Sequence, residues 1–143
     1  MYRHILVAIE HSGADETILQ HVERLAKLTG ASLLLVHVAD GWAARHFEDL
    51  DLRESDEMRD DRVYLEMLVT RLNAAGLSAR GKLAVGDPAT ELIKAARAEA
   101  VDLVAMATHG HRFLNDLLRG TTVDRVRHEL TVPILLMRAE SMR

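Results

Sequence analysis

Apolar and polar residues follow two alternating patterns along the chain. Four continuous apolar runs predict strands that are buried on both faces, as in a parallel sheet. These runs are Ile5–Ile9, Ser32–Val38, Asp102–Ala107 and Pro133–Met137. A fifth stretch, Ser78–Val85, alternates between apolar and polar residues, which predicts a half-exposed strand near an edge of the sheet.

Between these strands, apolar residues recur at the spacing of an amphipathic helix. The four stripes are Ile18, Val22 and Leu25, widened by Leu19 and Ala26; Leu65, Leu68, Leu72 and Ala75; Ala89, Leu92, Ile93, Ala96 and Ala100; and Val123, Val126 and Leu130. Ser12 is placed to cap the first helix, Gly30 to end it and Pro88 to begin the third. Strands that alternate with helices predict an α/β fold, an open and mostly parallel five-stranded sheet with helices on both faces.

The composition narrows the classes of function. A length of 143 residues suits one domain, residues 1–143. A net charge of −4 and 3% aromatic residues provide neither a basic face nor stacking platforms for nucleic acid. The absence of cysteine excludes disulfides and zinc-thiolate sites. No apolar run approaches the roughly 20 residues that span a bilayer, and no signal-peptide pattern precedes the first strand, so we expect a cytoplasmic protein.

The segment Gly41–Asp61 is dense in both acidic and basic residues. Such charge runs usually form a solvated loop, here one that leads into a helix. The alternative is a flap over a ligand, because the segment directly follows the carboxyl end of the second strand. Trp42, the single tryptophan, would then report on the flap.

The stretch Ala105–Thr122 carries the strongest functional signal. A strand end leads into a loop with Gly110, and Gly120, Thr121 and Thr122 precede the last helical stripe. We predict that these three residues open the helix, where amides lack internal partners and the dipole favours anions. The pattern indicates a phosphate-binding turn, with plain turn glycines as the alternative. No lysine follows Gly120, which excludes a Walker loop.

The last strand begins with Pro133, which is best tolerated at the edge of a sheet. An apolar edge strand left bare invites aggregation, and pairing with a second copy removes that hazard. We therefore predict a twofold dimer through Val132–Arg138.

Together these segments give the chain a resemblance to the universal stress protein family. The resemblance rests on I-L-V-A-I-E-H-S, L-L-V-H-V, V-G-D-P-A-T-E-L-I, D-L-V-A-M-A-T-H-G and G-T-T-V-D-R-V. The nucleotide-binding branch has the pattern G-two-G-nine-G-[ST], which is similar to Ala107, Gly110, Gly120 and Thr121 here, with alanine in place of the first glycine. The resemblance implies a Rossmann-like, adenine nucleotide alpha hydrolase-like sheet with strand order 3-2-1-4-5.

The resemblance also implies a ligand, ATP, with magnesium on the nucleotide as an option. It places the adenine against the backbone of Ala8, Ile9 and Val38, and Glu10 toward the base or ribose. It places Met106, Ala107, His109 and Gly110 along ribose and phosphates, and Gly120, Thr121 and Thr122 along the phosphate chain. The implied function is a regulatory, stress-response homodimer with no catalytic residue. The alternatives are a nucleotide-free dimer that acts through an unidentified protein partner, and a slow ATPase in which Glu10 orients water.

Three other residues have competing interpretations. His37 lies in a buried strand, which is typical of a hydrogen-bonded core histidine. His109 and His111 lack further ligands nearby, so we predict no metal site there. Asp124 complements the helix dipole, and it is also placed to hold magnesium on a nucleotide.

Overall fold

A computed structural model describes residues 1–40, 56–108 and 116–139, and of residues 40 and 116–120 it describes the backbone alone. The strands are β1 (His4–Ile9), β2 (Ser32–Asp40), β3 (Ala79–Gly86), β4 (Leu103–Thr108) and β5 (Ile134–Arg138). The helices are α1 (Ala14–Thr29), α2 (Asp56–Ala74), α3 (Pro88–Ala98) and α4 (Asp116–Glu129). The strands form one parallel sheet with the order β3-β2-β1-β4-β5, which confirms the predicted fold class.

The central strand is β1, which pairs with β2 on one side and with β4 on the other. Ile5, for example, lies between Leu33 and Leu103. The chain steps outward from β1 to β3, then returns to β4 and steps outward to β5. Strand order therefore reverses between β1 and β4, and ligands of open α/β sheets bind at the carboxyl ends of the strands at such a point.

Two apolar cores lie on opposite faces of the sheet, because alternate side chains of each buried strand point to opposite sides. Helices α1 and α2 cover one face, where Leu19 and Leu68 pack with Leu35. Helices α3 and α4 cover the other, where Ile93 and Val126 pack around Val36. Because helices cover both faces of the sheet, β1, β2 and β4 have continuous apolar sequences. Within the described residues, no helix combines the length and apolar character that a membrane span needs.

The turn signals in the sequence fall where the elements change. Gly30 has φ 75° and ends α1 with its amide donating to the Ala26 carbonyl. Pro88 is the first residue of α3, and the Asp87 side chain accepts the Thr90 amide. The half-exposed strand β3 lies at an edge, as the alternation in its sequence predicts.

The start of the last helix differs from the prediction. Helix α4 begins at Asp116, four residues before Gly120, so the prediction that Gly120, Thr121 and Thr122 open it is wrong. A glycine inside a helix costs about 1 kcal/mol relative to alanine. Here it follows an acidic first residue and two leucines, which favour helix, so the glycine does not set the boundary. The amides without intrahelical partners are consequently those of the first turn, not those of residues 120–122.

Candidate functional site

A cleft of about 700 Å³ lies at the carboxyl edge of the sheet, where strand order reverses. Eight of the eleven predicted site positions line this one cleft. They are Ala8, Ile9, Glu10, Val38, Met106, Ala107, Thr121 and Thr122. The backbone of Gly120 lies within α4, and His109 and Gly110 fall outside the described residues. Their roles toward a ligand stay predictions.

The floor of the cleft is apolar. Val36, Met106 and Leu92 belong to the core between the sheet and helices α3 and α4, and Ala8 and Val38 pack against it. The strand residues among these point to that face of the sheet, and Leu92 reaches the cleft from α3. The rim is polar, so the cleft suits a ligand with one flat apolar part and one charged part.

The turn between β1 and α1 forms one wall of the cleft, and Asp15 holds it in place. The Asp15 residue is 1% exposed, and its carboxylate accepts the amides of Glu10 at 2.8 Å, His11 at 2.9 Å and Ser12 at 3.2 Å. The hydroxyl of Tyr64 donates to the same carboxylate at 2.7 Å. His11 is held at φ 64°, a left-handed conformation that is uncommon outside glycine.

Ser12 is not the N-cap residue of α1 as predicted, because that position is Gly13, which makes no side-chain cap. The Ser12 hydroxyl accepts the Ala14 amide at the start of α1 and donates to the Glu10 carboxylate, both at 3.2 Å. Helix α1 begins at Ala14, so Ser12 both satisfies a free amide of the helix and ties Glu10 to the turn.

A cluster of the buried Asp61 and His37 with the exposed His11 joins α2 to the ends of β1 and β2. His11 Nδ1 lies 2.6 Å from Asp61 Oδ1, and His37 Nε2 lies 3.2 Å from Asp61 Oδ2. The other nitrogen of His37 donates to the Ile9 carbonyl at 2.8 Å, which confirms His37 as a hydrogen-bonded core histidine. Asp61 is 8% exposed, so the expectation that residues up to Asp61 are solvated is wrong at this position.

The sequence contains a signal for Asp61. It lies one turn before Leu65 on the same buried stripe of α2, at the spacing 61, 65, 68 and 72. A carboxylate on an apolar stripe needs polar partners, and it has a hydrogen bond from His11 and an ion-pair contact with His37. Residues 41–55 of the charged segment, with Trp42, lie outside the described residues.

Arg125 on α4 provides positive charge on the cleft wall. Its Nη1 lies 2.7 Å from Asp87 Oδ2 and 3.2 Å from the Thr90 hydroxyl. Among the described residues that line the cleft, Arg125 is the one arginine or lysine. It lies one turn after Thr121, so helical spacing from the predicted phosphate-binding residues indicates this position.

The pKa of Asp87 is lowered by two hydrogen bonds that Thr90 donates to its carboxylate, from the amide at 3.0 Å and from the hydroxyl at 2.7 Å. The guanidinium of Arg125 lowers it further.

Asp87→Ala should cost about 1 kcal/mol of unfolding free energy because it removes the cap of α3. Asp87→Asn keeps a capping oxygen and should cost less than half as much. A lowered pKa stabilises the fold above the ordinary value of 3.8, and the contribution is lost as pH falls. The difference between wild type and Asp87→Asn in urea unfolding should therefore shrink below pH 4; a constant difference would contradict this.

Metal ligation has no support within residues 1–40, 56–108 and 116–139, where no group of three or more acidic or histidine side chains is arranged to hold an ion. Asp124 in this range pairs with Arg127 at 3.3 Å on the exposed side of α4.

The family model of the universal stress proteins matches residues 1–138. The chain belongs to the universal stress protein family. A universal stress protein from Methanocaldococcus jannaschii is 24% identical to it, over 99% of this chain and 98% of the relative. A solved structure of that protein superposes with a TM-score of 0.78 at 25% identity, covering 99% of both chains.

Two further universal stress protein structures were solved with adenine nucleotides. One, in complex with cAMP, has a TM-score of 0.70 at 17% identity and covers 97% of this chain and 98% of its own. The other, from Archaeoglobus fulgidus in complex with dAMP, has a TM-score of 0.68 at 19% identity and covers 94% and 97%. At these identities the likeness establishes the shared universal stress protein fold.

Proposed function

We propose that this universal stress protein is a regulatory module that binds ATP in the cleft between the ends of β1, β2 and β4. The observation that carries the proposal is the convergence of eight predicted nucleotide positions, from three strands and one helix, on a single cleft. Its volume of about 700 Å³ lies within the usual range for small-molecule sites. The complexes of two structural neighbours with cAMP and dAMP give further support.

In this proposal the adenine lies on the apolar floor against Ala8 and Val38 and against the backbone of Ile9. Glu10 faces the base or ribose. The phosphates extend toward α4. Since α4 begins at Asp116, the amides of residues 120–122 have carbonyl partners in the preceding turn. We therefore assign the phosphate contacts on this helix to the hydroxyls of Thr121 and Thr122 and to the Arg125 guanidinium, which line the cleft.

The charge of the cleft favours ATP that carries magnesium. Its described lining contains the carboxylates of Glu10, Glu57, Asp60, Asp61 and Asp87. Arg125 is the one permanently positive side chain in this described lining. A metal ion on the phosphates reduces their repulsion from these carboxylates, so ATP should bind more tightly with magnesium than with a chelator present.

Regulation fits this cleft better than turnover. Phosphoryl transfer needs dense positive charge around the transferred group, and the described wall provides the single guanidinium of Arg125. If the protein does hydrolyse ATP through water held by Glu10, Glu10→Gln abolishes the turnover; a rate that survives this change rejects that mechanism.

The direct test is to identify any nucleotide that the purified protein already carries and to measure whether the stripped protein binds ATP. Acid extraction of freshly purified protein should release an adenine nucleotide, identified by chromatography. Calorimetric titration of stripped protein with ATP and magnesium should give one site per chain. An empty extract together with no binding at millimolar ATP would overturn the proposal and favour a nucleotide-free dimer that acts through protein contacts.

We propose further that the second copy of a twofold dimer pairs along Val132–Arg138. Strand β5 is an edge of the sheet, and Leu136 on it is 42% exposed. Leu136→Arg should convert the dimer to monomer in light scattering at micromolar concentration, because a charge on an edge strand opposes pairing. Leu28→Arg is the matched control, since Leu28 is 85% exposed on α1. A monomeric wild type, or equal dissociation by both changes, would refute this interface.

A further inference from the structure

His11 is held at the wall of the cleft by three contacts, one to its backbone and two to its imidazole ring. Asp15 accepts its backbone amide, and Asp61 lies 2.6 Å from its Nδ1. The ring stacks on Tyr64 with centroids 4.0 Å apart and planes 15° from parallel. Within the part of the chain that the structure describes, the remaining nitrogen, Nε2, has no hydrogen-bond partner, and the side chain is 36% exposed. A pre-oriented polar atom of this kind at a ligand cleft is typical of a recognition group.

Asp61 lies between the two histidines. The Nδ1 of His37 donates to the Ile9 carbonyl at 2.8 Å, and its Nε2 lies 3.2 Å from Asp61 Oδ2. His37 and Asp61 are 9% and 8% exposed, and the other carboxylate oxygen, Oδ1, faces His11.

Asp61 sets the tautomer of His11. Its Oδ1 accepts a hydrogen bond at 2.6 Å, so Nδ1 of His11 carries a proton and donates it. In a neutral imidazole with its proton on Nδ1, Nε2 carries a lone pair and acts as an acceptor.

We infer that His11 Nε2 accepts a hydrogen bond from an N–H or O–H group on the nucleoside part of the bound nucleotide. The inference rests on the proposed function and adds a recognition residue to it, with Asp61 as the positioning residue. An acceptor discriminates against ligands that lack the donor, since a group left without its partner loses the bond and stays desolvated.

The test compares His11→Asn with wild type across a series of ATP analogues. Asparagine is among the residues that tolerate the left-handed conformation best, and its side-chain amide can replace Nδ1 as the donor to Asp61. It has no counterpart of Nε2. The analogues are purine riboside triphosphate, which lacks the 6-amino donor, and 2′-deoxy-ATP and 3′-deoxy-ATP, which each lack one ribose hydroxyl.

The expected result is a loss of about tenfold in ATP affinity for His11→Asn, the size of one hydrogen bond. One analogue should bind wild type about tenfold more weakly than ATP, and His11→Asn should bind that analogue and ATP equally. This non-additivity identifies the donor as the base amine or a given hydroxyl. Equal losses on every ligand, or no loss on ATP, would overturn the inference while ATP binding stands.

A second measurement keeps the inference open to refutation if His11→Asn folds poorly. The ¹⁵N resonance of His11 Nε2 in the wild-type protein should be that of an unprotonated nitrogen and should shift when ATP binds. The analogue that lacks the contacted donor should not produce the shift. A Nε2 that is protonated in the free protein, or is unmoved by bound ATP, contradicts the assignment. Failure of wild type to bind ATP at all refutes the proposed function and the inference with it.

Discussion

Asp15→Ala is expected to destabilise the protein by about 3–5 kcal/mol, because it removes one buried acceptor from four part-buried donors at once. Three consecutive amides, of Glu10, His11 and Ser12, and the hydroxyl of Tyr64 all donate to this carboxylate. Each polar group left without a partner costs about 1–3 kcal/mol. The left-handed conformation of His11 loses its support in the same step.

Urea unfolding followed by circular dichroism measures this loss. Asp15→Asn, which keeps one acceptor oxygen, should lie between alanine and wild type. Asp124→Ala is the control, because that carboxylate is exposed and pairs only with Arg127 among the described residues. It should change the unfolding free energy by at most about 0.5 kcal/mol. If Asp15→Ala costs no more than this control, the turn does not depend on its hydrogen bonds to Asp15.

Arg125→Met should weaken ATP binding by roughly 10- to 150-fold, which is the value of a hydrogen bond to a charged group, about 1.5–3 kcal/mol. Methionine preserves the aliphatic part of the side chain and removes the guanidinium. Because the proposed contact is with phosphate, the affinity for adenosine should not change. Titration calorimetry with both ligands separates the two effects.

Arg127→Met is the matched control for this prediction. Arg127 lies on the same helix, is exposed and pairs with Asp124, and it does not line the cleft. Its replacement should leave ATP binding within about twofold of wild type, since solvent screens distant surface charges. An equal loss in both variants would point to the general field of α4. A loss of adenosine affinity in Arg125→Met would point to damage of the cleft.

The sheet is predictable from sequence because strands that are buried on both faces have continuous apolar sequences. Residues 5–9 and 32–38 contain almost no polar side chains, and helices must cover both sides of such strands. Gly30 and Pro88 mark helix ends through constraints on their own backbones. Local rules suffice for these elements, and the switch point, and with it the location of the cleft, follows from strand order.

The residue at which α4 begins and the partners of Asp61 could not be predicted from the sequence and were found in the structure. Gly120 has the same intrinsic cost in a helix as any other glycine, and the neighbouring residues decide whether the helix continues through it. The charges around Asp61 are typical of a solvated surface. Its burial depends on His11 and His37, which are 50 and 24 residues away in sequence, so local spacing places Asp61 on a buried stripe but does not identify its partners.

The central position of β1 also affects how the protein folds during synthesis. Its first neighbour, β2, leaves the ribosome soon after it, but the partner on its other side is β4, with Ile5 opposite Leu103. The ends of β2 and β4 lie 68 residues apart, at Asp40 and Thr108, and at about 5–20 residues per second this length takes on the order of 3–14 s to translate. For that time the nascent chain exposes the hydrogen-bonding edge of its central strand, so this protein should be most vulnerable to misassembly before translation of β4 is complete.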